Sequence, residues 1–223
     1  MTKIRKAATV VLIRDGDQGV EALLVKRSDH GTFGRQWVFP GGAIDTVDDE
    51  NAEHELAAAQ AAAARECMEE AGIALQPAEL LPFAHWTPPE YVPVRFATWF
   101  FIAAAGGDQV VSVDDYEIVD YHWIRPADAL KKHLANGMPM FPPTAVTLHE
   151  LSQQASCRQT LSFYRERGIF TYLPRLGAKV EGGSIFLYQG DAGYVSGNPD
   201  SRGARNRCYF KDGICRYENT LAL

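Results

Sequence analysis

The feature that most constrains this chain is a segment rich in alanine, glutamate and leucine, which runs from about residue 51 to residue 71. These residue types are the strongest helix formers, and Gly72 stands where a left-handed C-terminal cap is expected. One arc of such a helix is apolar and is predicted to pack on a sheet. It consists of Leu56, Ala63, Ala64, Cys67 and Ala71.

β-Branched and apolar stretches on both sides of this helix predict the strands of that sheet. Residues 7–14 and 20–27 flank a turn with two glycines and form a predicted hairpin. Four more strands are predicted at residues 37–39, 79–85, 95–103 and 117–124. Strands, a helix and then more strands predict an α/β or α+β fold.

The C-terminal part of the chain is predicted to be mainly helical at first and then to contain short strands. Helices are predicted at 126–136, 144–154 and 156–168, the last of which begins with a capping box formed by Ser156 and Gln159. Short strands are predicted at 169–173, 184–188, 207–210 and 214–217. We divide the chain into a core, residues 1–141, and an extension, residues 142–223. The extension should pack on the core because its helices are too short to be stable alone.

Charge and composition limit the classes of function. The net charge of −6 argues against a nucleic-acid partner, which requires a basic face. No run approaches the roughly 20 apolar residues needed to span a bilayer, so no membrane association is expected. The four cysteines have no zinc-site spacing and are too few for a disulfide framework. Reduced thiols in a cytoplasmic protein are the simplest interpretation.

Three carboxylates share one face of the predicted central helix. Glu66, Glu69 and Glu70 are related by i, i+3 and i+4, which places their Cβ atoms within about 5 to 6 Å of each other. The charges repel each other, and a hard divalent cation such as magnesium would relieve the repulsion. By itself, however, an acidic helix face is more often simply solvated.

The surrounding residues give this face a more specific interpretation. The segment Arg65-Glu66-Cys67-Met68-Glu69-Glu70-Ala71-Gly72-Ile73 resembles the second half of the Nudix box, and Pro40-Gly41-Gly42 resembles its opening. The resemblance implies an α/β/α sandwich with a mixed sheet and metal-dependent hydrolysis of a nucleotide diphosphate. It implies that Glu66, Glu69 and Glu70 bind Mg²⁺ or Mn²⁺ and that Arg65 orients them, so that these four residues form the catalytic set. Candidates for the general base are Glu69, Glu70, Asp114, Asp115 and Glu117.

The sequence departs from the Nudix pattern at the first glutamate of the box. Asp48 stands at that position, and residues 49–64 separate it from Arg65, whereas the usual spacing is seven residues. The extra residues could lengthen the helix or form a loop over the cleft, and Asp48 is a doubtful metal ligand. Acids that could replace it are Asp45, Asp49, Glu50, Glu53 and Glu55.

This insertion resembles one branch of the family, the coenzyme A diphosphatases of the animal peroxisomal type. The segments at residues 23–28, 37–45, 85–88 and 142–144 also resemble that branch. The resemblance implies cleavage of coenzyme A or acyl-CoA into 3′,5′-ADP and (acyl-)phosphopantetheine. Two alternatives remain open. One is a Nudix hydrolase of ADP-ribose, nucleotide sugars or dinucleotides, and the other is a non-catalytic module that senses a nucleotide.

Several residues are predicted to bind the substrate. Arg27, Arg35 and Arg95 are candidates for the 3′-phosphate or diphosphate, because guanidinium groups match phosphate geometry, and Gly41 and Gly42 would border the site. Each arginine could equally be an ordinary surface charge. Candidates for stacking on adenine are Trp37, Trp86, Tyr91 and Trp99, and for acid–base roles His30 and His85. Dimers are common in the family, so a homodimer is a further expectation.

Overall fold

The computed structural model describes residues 4–30, 34–50, 52–106 and 109–221. The strands are β1 (Ile4–Gly16), β2 (Gly19–Arg27), β3 (Trp37–Val38), β4 (Gly41–Ala43), β5 (Leu81–Trp86), β6 (Arg95–Ala104), β7 (Ile118–Ile124), β8 (Phe170–Tyr172), β9 (Arg175–Val180), β10 (Gly183–Leu187), β11 (Asn206–Lys211) and β12 (Ile214–Asn219). The helices are α1 (Thr46–Glu50), α2 (Glu55–Ala71), α3 (Pro126–Leu134), α4 (Pro142–Leu151) and α5 (Cys157–Arg167). A 3₁₀ turn at Pro77–Glu79 precedes β5.

The main sheet is mixed. Its strands follow the order β3-β2-β1-β6-β5-β8, while β4 pairs with β1 and β7 pairs with β2. The pairs β1–β6 and β5–β8 are parallel, and the other pairs are antiparallel. Strand β2 pairs with the C-terminal part of β1, and strand β4 pairs with the preceding part of β1, where Gly42 lies opposite Ala8. This placement brings the two glycines beneath α2.

Helix α2 covers one face of this sheet. His54 caps its N-terminus by accepting a bond from the Ala57 N–H, and Gly72 ends it in the left-handed conformation with φ 68°. The predicted apolar arc is confirmed, because Ala63, Cys67 and Ala71 are fully buried against the sheet. The predicted helix start near residue 51 is wrong: residue 51 lies outside the described residues, and α2 begins at Glu55 after the separate short helix α1.

The extension covers the other face of the sheet. Leu148 of α4, Tyr164 of α5 and Cys208 of β11 belong to the same apolar cluster as Val11 and Phe83 of the main sheet. The predicted α/β fold with a mixed sheet and a packed C-terminal extension is confirmed by this arrangement. No helix in the described ranges is long and apolar enough to cross a membrane.

A buried acid connects the elements of the extension. Glu150 of α4 is 3% exposed and accepts bonds from the Tyr164 hydroxyl at 3.1 Å and the Tyr172 hydroxyl at 2.9 Å. Arg167 donates to the same carboxylate at 2.9 Å and to the Phe83 carbonyl of β5 at 3.0 Å. This network joins α4 and α5 to strands β5 and β8 of the main sheet.

Three features differ from the sequence-based expectation. Strands β4 and β9 were not predicted, because β4 has three residues and β9 lacks strong apolar alternation. The structure joins Cys208 to Cys215 in a disulfide across the β11–β12 hairpin, whereas reduced thiols were expected. The pairing depended on a hairpin register that the sequence does not fix: Cys208 lies opposite Tyr217, and Cys215 lies opposite Phe210.

Candidate active site

The last turns of α2 place two glutamates against strand β4. Glu70 accepts a bond from the Gly41 N–H at 2.8 Å, and the Glu66 carboxylate lies directly over Gly42. Glu69 points outward, and 57% of its side chain is exposed. The i, i+4 relation of Glu66 and Glu70 therefore gives two inward carboxylates, with the third at the rim.

Neighbouring atoms approach both glycines of β4 closely, and at Gly41 these are backbone atoms that leave room only for glycine. A Cβ on Gly42 would collide with the carboxylate of Glu66, and a Cβ on Gly41 would collide with the backbone of Ala8 and Thr9 in β1. The glycines were predicted to border the substrate. The structure shows that they also let the helix carboxylates approach the sheet.

The inward carboxylates are held where negative charge is unfavourable. Burial raises the pKa of Glu70 to about 8, although the Gly41 N–H and the Arg27 guanidinium act in the opposite direction. Burial also raises the pKa of Glu66, against the opposing effect of Arg65. The charge of Glu66 raises the pKa of Glu70 further. A cation at this position would offset both effects.

Arg65 organises the acidic side chains around it. Its Nη1 donates to Glu66 and Glu69 at 3.0 Å each, and its Nη2 donates to the Ala43 carbonyl at 3.1 Å. Nη2 also donates to Asp48 at 3.0 Å. One guanidinium thus fixes two of the three helix glutamates relative to β4 and α1.

Asp48 is a partner of Arg65 and is engaged on both oxygens. It is 7% exposed, and besides the Nη2 bond it accepts the Asp45 N–H at 2.9 Å and the Arg65 Nε at 3.4 Å. The sequence does not predict this contact, because 16 residues separate Asp48 from Arg65. The described residues between Asp48 and Arg65 include the end of α1 and the first turns of α2.

The acids that could have replaced Asp48 lie in other environments. Asp45 has a 63% exposed side chain 3.6 Å from Arg65, and Asp49 lies 4.0 Å from Lys6. Glu55 pairs with Lys6 at 3.3 Å and accepts the Trp99 indole N–H at 3.2 Å. Glu50 and Glu53 are exposed.

The loop before β7 supplies the other candidate bases. Burial alone would raise the pKa of Asp114, but the N–H groups of Ile118, Glu117 and Tyr116 hold it below its usual value. The Asp114 carboxylate accepts bonds from these three N–H groups and so holds its own loop in place. Glu117 is 56% exposed at 3.5 Å from Arg27.

A basic cavity of about 730 Å³ opens beside Glu70. Arg27 lies in its wall and donates to Glu70 at 3.2 Å. Trp37 and His30 also line the cavity, and Trp37 stacks on His122 with the ring centroids 4.9 Å apart. Arg35 lies at the rim, where both arms of its guanidinium contact Asp29 at 2.6 Å.

Sequence reasoning missed Lys26 as a further cation in this wall. Strict alternation along β2 would put Lys26 and Arg27 on opposite faces. The register of β2 against β7 shifts between these two residues, and both line the cavity. A bulge of this kind has no clear sequence signal.

Other predicted binding residues lie elsewhere. Arg95 lines a different cavity together with Tyr91. Trp86 is 4% exposed and stacks on Tyr172 at 3.8 Å, so it belongs to the core. His85 contacts the ring of Trp99, and burial lowers its pKa. The structure therefore places Arg27 and Arg35 in the wall of the basic cavity, whereas Arg95 lines the other cavity.

The donor set suits a hard divalent cation, because three carboxylates share one helix and the two inward ones, Glu66 and Glu70, have raised pKa values. In the side-chain positions of the described ranges, no three His, Cys, Asp or Glu residues already surround a common point suited to a metal ion. Glu66 and Glu69 are instead bonded to Arg65.

Comparison with known proteins identifies the family. The family model described as NUDIX domain matches residues 3–143. A NUDIX hydrolase from Alicyclobacillus acidocaldarius is 26% identical with a TM-score of 0.65, and the match covers 73% of this chain and 97% of that one. The NUDIX domain of Shewanella oneidensis NrtR, solved with ADP ribose, is 19% identical with a TM-score of 0.52, covering 69% and 88% respectively. No curated protein matches the chain.

The matched region contains the site residues described above, from Lys6 to His122. It also spans well over half of the chain. The chain therefore belongs to the NUDIX domain family, and it is a Nudix hydrolase.

Proposed function

We propose that this Nudix hydrolase cleaves the diphosphate linkage of a nucleotide-containing substrate, using Mg²⁺ or Mn²⁺ held by Glu66, Glu69 and Glu70. The observation that carries the proposal is the pair of inward carboxylates, buried Glu70 and partly buried Glu66, which lie against the two glycines of β4. Arg65 and Arg27 each pair with one of these carboxylates, yet the pKa of both carboxylates is still raised, so a bound cation would stabilise their charged forms.

The residues of the chain have separate tasks in this proposal. A bound divalent cation would neutralise charge on the diphosphate and make a water molecule more acidic. Arg65 holds Glu66 and Glu69 in position, and Asp48 holds Arg65. Arg27 and Lys26 attract the phosphate oxygens in the basic cavity. The general base is one of Glu69, Glu70, Asp115 and Glu117, because Asp114 is engaged with backbone N–H groups.

For the substrate we propose coenzyme A or an acyl-CoA, which would be cleaved to 3′,5′-ADP and (acyl-)phosphopantetheine. The support is the likeness of residues 23–28 and 37–45 to the coenzyme A branch, together with the basic cavity that these segments border. A volume of about 730 Å³ is within the range of roughly 300–1,000 Å³ usual for small-molecule sites.

ADP-ribose, nucleotide sugars and dinucleotides are the alternative substrates, and they would use the same helix with a different fit in the cavity. ADP-ribose belongs in any test panel because the NrtR NUDIX domain was solved with it. A non-catalytic nucleotide sensor is the third candidate. The complete Glu66, Glu69 and Glu70 set favours catalysis over this role.

A panel of diphosphates decides among these candidates. The protein is incubated with Mg²⁺ or Mn²⁺ and coenzyme A, acetyl-CoA, ADP-ribose, a nucleotide sugar or a dinucleoside polyphosphate, and the products are separated by chromatography. We expect 3′,5′-ADP from coenzyme A at the highest kcat/KM. Strong turnover of another substrate with none of coenzyme A would refute the substrate but keep the reaction class. Tight nucleotide binding without turnover of any compound would favour the sensor.

Two variants test the role of the helix acids. Glu69→Gln and Glu70→Gln keep the shape of the side chain but remove its charge, and both should lose at least about tenfold in kcat. Glu79→Gln is the matched control, because Glu79 is exposed on the 3₁₀ turn outside the site. Wild-type turnover in both helix variants would contradict the proposed metal role.

We also propose a division into a core, residues 1–141, and an extension, residues 142–223, that unfold together because they share one apolar cluster. We further propose that the protein is cytoplasmic, forms a homodimer and has no nucleic-acid partner. Sedimentation of the pure protein tests the dimer, and fractionation of the source cells tests the location.

A further inference from the structure

A second cavity, of about 500 Å³, lies between the core and the extension. Its core side is formed by the segment after β5, from Thr87 to Tyr91, and by Arg95 at the start of β6. The extension contributes Leu173 to Leu176 and Tyr194. None of these residues lines the basic cavity beside Glu70. The two cavities are therefore built from different parts of the chain.

Arg95 is a buried cation without an acidic partner in the described part of the chain. It is 9% exposed, and its Nε and Nη2 both donate to the Pro88 carbonyl, at 3.1 and 2.9 Å. No carboxylate lies within 4.0 Å of its guanidinium among the described residues. A neutral carbonyl does not balance a buried charge, and an anion in the adjoining cavity would do so.

Arg175 provides a second cation on the opposite wall. Its Nη1 donates to the carbonyls of Tyr194 and Val195 at 2.9 Å each, which fixes the side chain over the loop. No hydrogen bond from its Nε or Nη2 is formed within the described residues. Pinning one arm of the guanidinium on carbonyl groups preorganises the other donors for a ligand and reduces the entropy lost on binding.

Aromatic surface accompanies these cations. The Tyr194 ring lies 5.6 Å from the Arg175 guanidinium carbon, and Tyr91 is 55% exposed at the mouth of the cavity. Glu90 is the one acidic residue in the lining, so arginine outnumbers acid two to one. Guanidinium groups bind phosphate, and tyrosine rings stack on nucleobases in a way that tolerates different bases.

We propose that this cavity binds a nucleoside monophosphate, with its phosphate held by Arg95 and Arg175 and its base stacked on Tyr91 or Tyr194. The site is separate from the hydrolytic centre. Its volume is within the range of about 300–1,000 Å³ that is usual for small-molecule sites. Because the wall comes from both the core and the extension, the bound nucleotide would also clamp the two parts together.

The test is calorimetric titration of the full-length protein with AMP in the presence of a chelator. AMP has no diphosphate to hydrolyse, and the chelator removes any divalent ion from the acidic helix. The result therefore does not depend on whether the protein hydrolyses any substrate. We expect saturable binding of AMP, with adenosine and inorganic phosphate each binding more weakly, because each supplies half of the contacts.

Variants locate the binding. Arg175→Gln and Tyr91→Ala should each weaken AMP binding by about fivefold or more, since phosphate contacts and stacking carry the affinity. Arg216→Gln is the matched control on the exposed face of β12, and Lys26→Gln tests the other cavity. The Arg216→Gln control should bind AMP like the wild type. Arg175 and Tyr91 are exposed, so their variants should fold normally, which circular dichroism checks.

Three results would overturn the proposal. The first is an absence of saturable AMP binding at AMP concentrations up to about 1 mM, where even a weak site would begin to fill. The second is equal binding of adenosine and AMP, which would exclude a phosphate contact. The third is a loss of binding in Lys26→Gln but not in Arg175→Gln, which would move the ligand to the basic cavity.

Discussion

Replacing Asp48 by asparagine tests the claim that this residue positions Arg65. The substitution keeps the size of a side chain that is 7% exposed, but it removes the charge that accepts the Arg65 bonds at 3.0 and 3.4 Å. Hydrogen bonds to charged groups contribute about 1.5–3 kcal/mol. Arg65 retains Glu66 and Glu69 as partners, so the loss should stay below the roughly 3–5 kcal/mol typical of a fully broken buried pair.

We therefore expect Asp48→Asn to lower the free energy of unfolding by about 1.5–3 kcal/mol. For a chain of this size, that corresponds to a fall in Tm of roughly 3–12 °C. Urea unfolding, with an unchanged m value, measures the loss. The control is Asp49→Asn, because Asp49 is half-exposed and only 4.0 Å from Lys6, and it should change stability by no more than about 0.5 kcal/mol.

The same variant separates positioning from metal binding. If Asp48 acts through Arg65, Asp48→Asn should lower kcat while the affinity for Mn²⁺ changes little. An unchanged stability combined with a large loss of Mn²⁺ affinity would refute the reasoning and make Asp48 a ligand.

Two other predictions concern the extension. Glu150→Gln should lower the free energy of unfolding in urea by about 3–5 kcal/mol, because it leaves the partly buried Arg167 without a counter-charge. The exposed control Glu166→Gln should keep the wild-type stability, and equal stability of the two variants would contradict this. Burial alone would raise the pKa of Asp191, but Arg207 and backbone N–H groups hold it below its usual value. The stabilisation from Asp191 is thus present above the unfolded pKa of about 3.9 and is lost as the pH falls through the lower folded pKa. The difference in free energy of unfolding between the wild type and Asp191→Asn, measured in urea, should therefore become smaller as the pH falls through this range. A difference that does not depend on pH would contradict the proposed role of the Asp191–Arg207 pair.

Local patterns in the sequence predicted the elements whose shape depends on their own residues. The buried arc of α2 and the cap at Gly72 follow from helix periodicity and from the conformational freedom of glycine. The β1–β2 hairpin and the capping box of α5 follow in the same way, and Ser156 accepts the Gln159 N–H as expected. The acidic face of α2 was visible for the same reason.

Contacts between distant segments were not predictable in this way. The bond of Asp48 to Arg65 crosses an insertion of unusual length, and the Gly41 bond to Glu70 joins β4 to α2. Arg95 was grouped with Arg27 because both are arginines in strands, but the sheet places them at different cavities. Side-chain chemistry is local, whereas the neighbours of a side chain are set by the whole fold.

Binding of Mn²⁺ to the acidic face of α2 tests the central claim most directly. Titration followed by electron paramagnetic resonance of the unbound ion is compared for the wild type, Glu66→Gln, Glu70→Gln and the exposed control Glu79→Gln, with hydrolysis of the best substrate measured in parallel. We predict that the wild type and Glu79→Gln bind Mn²⁺ and hydrolyse the diphosphate, while Glu66→Gln and Glu70→Gln lose both properties. Unchanged Mn²⁺ affinity and turnover in Glu66→Gln and Glu70→Gln would contradict the account.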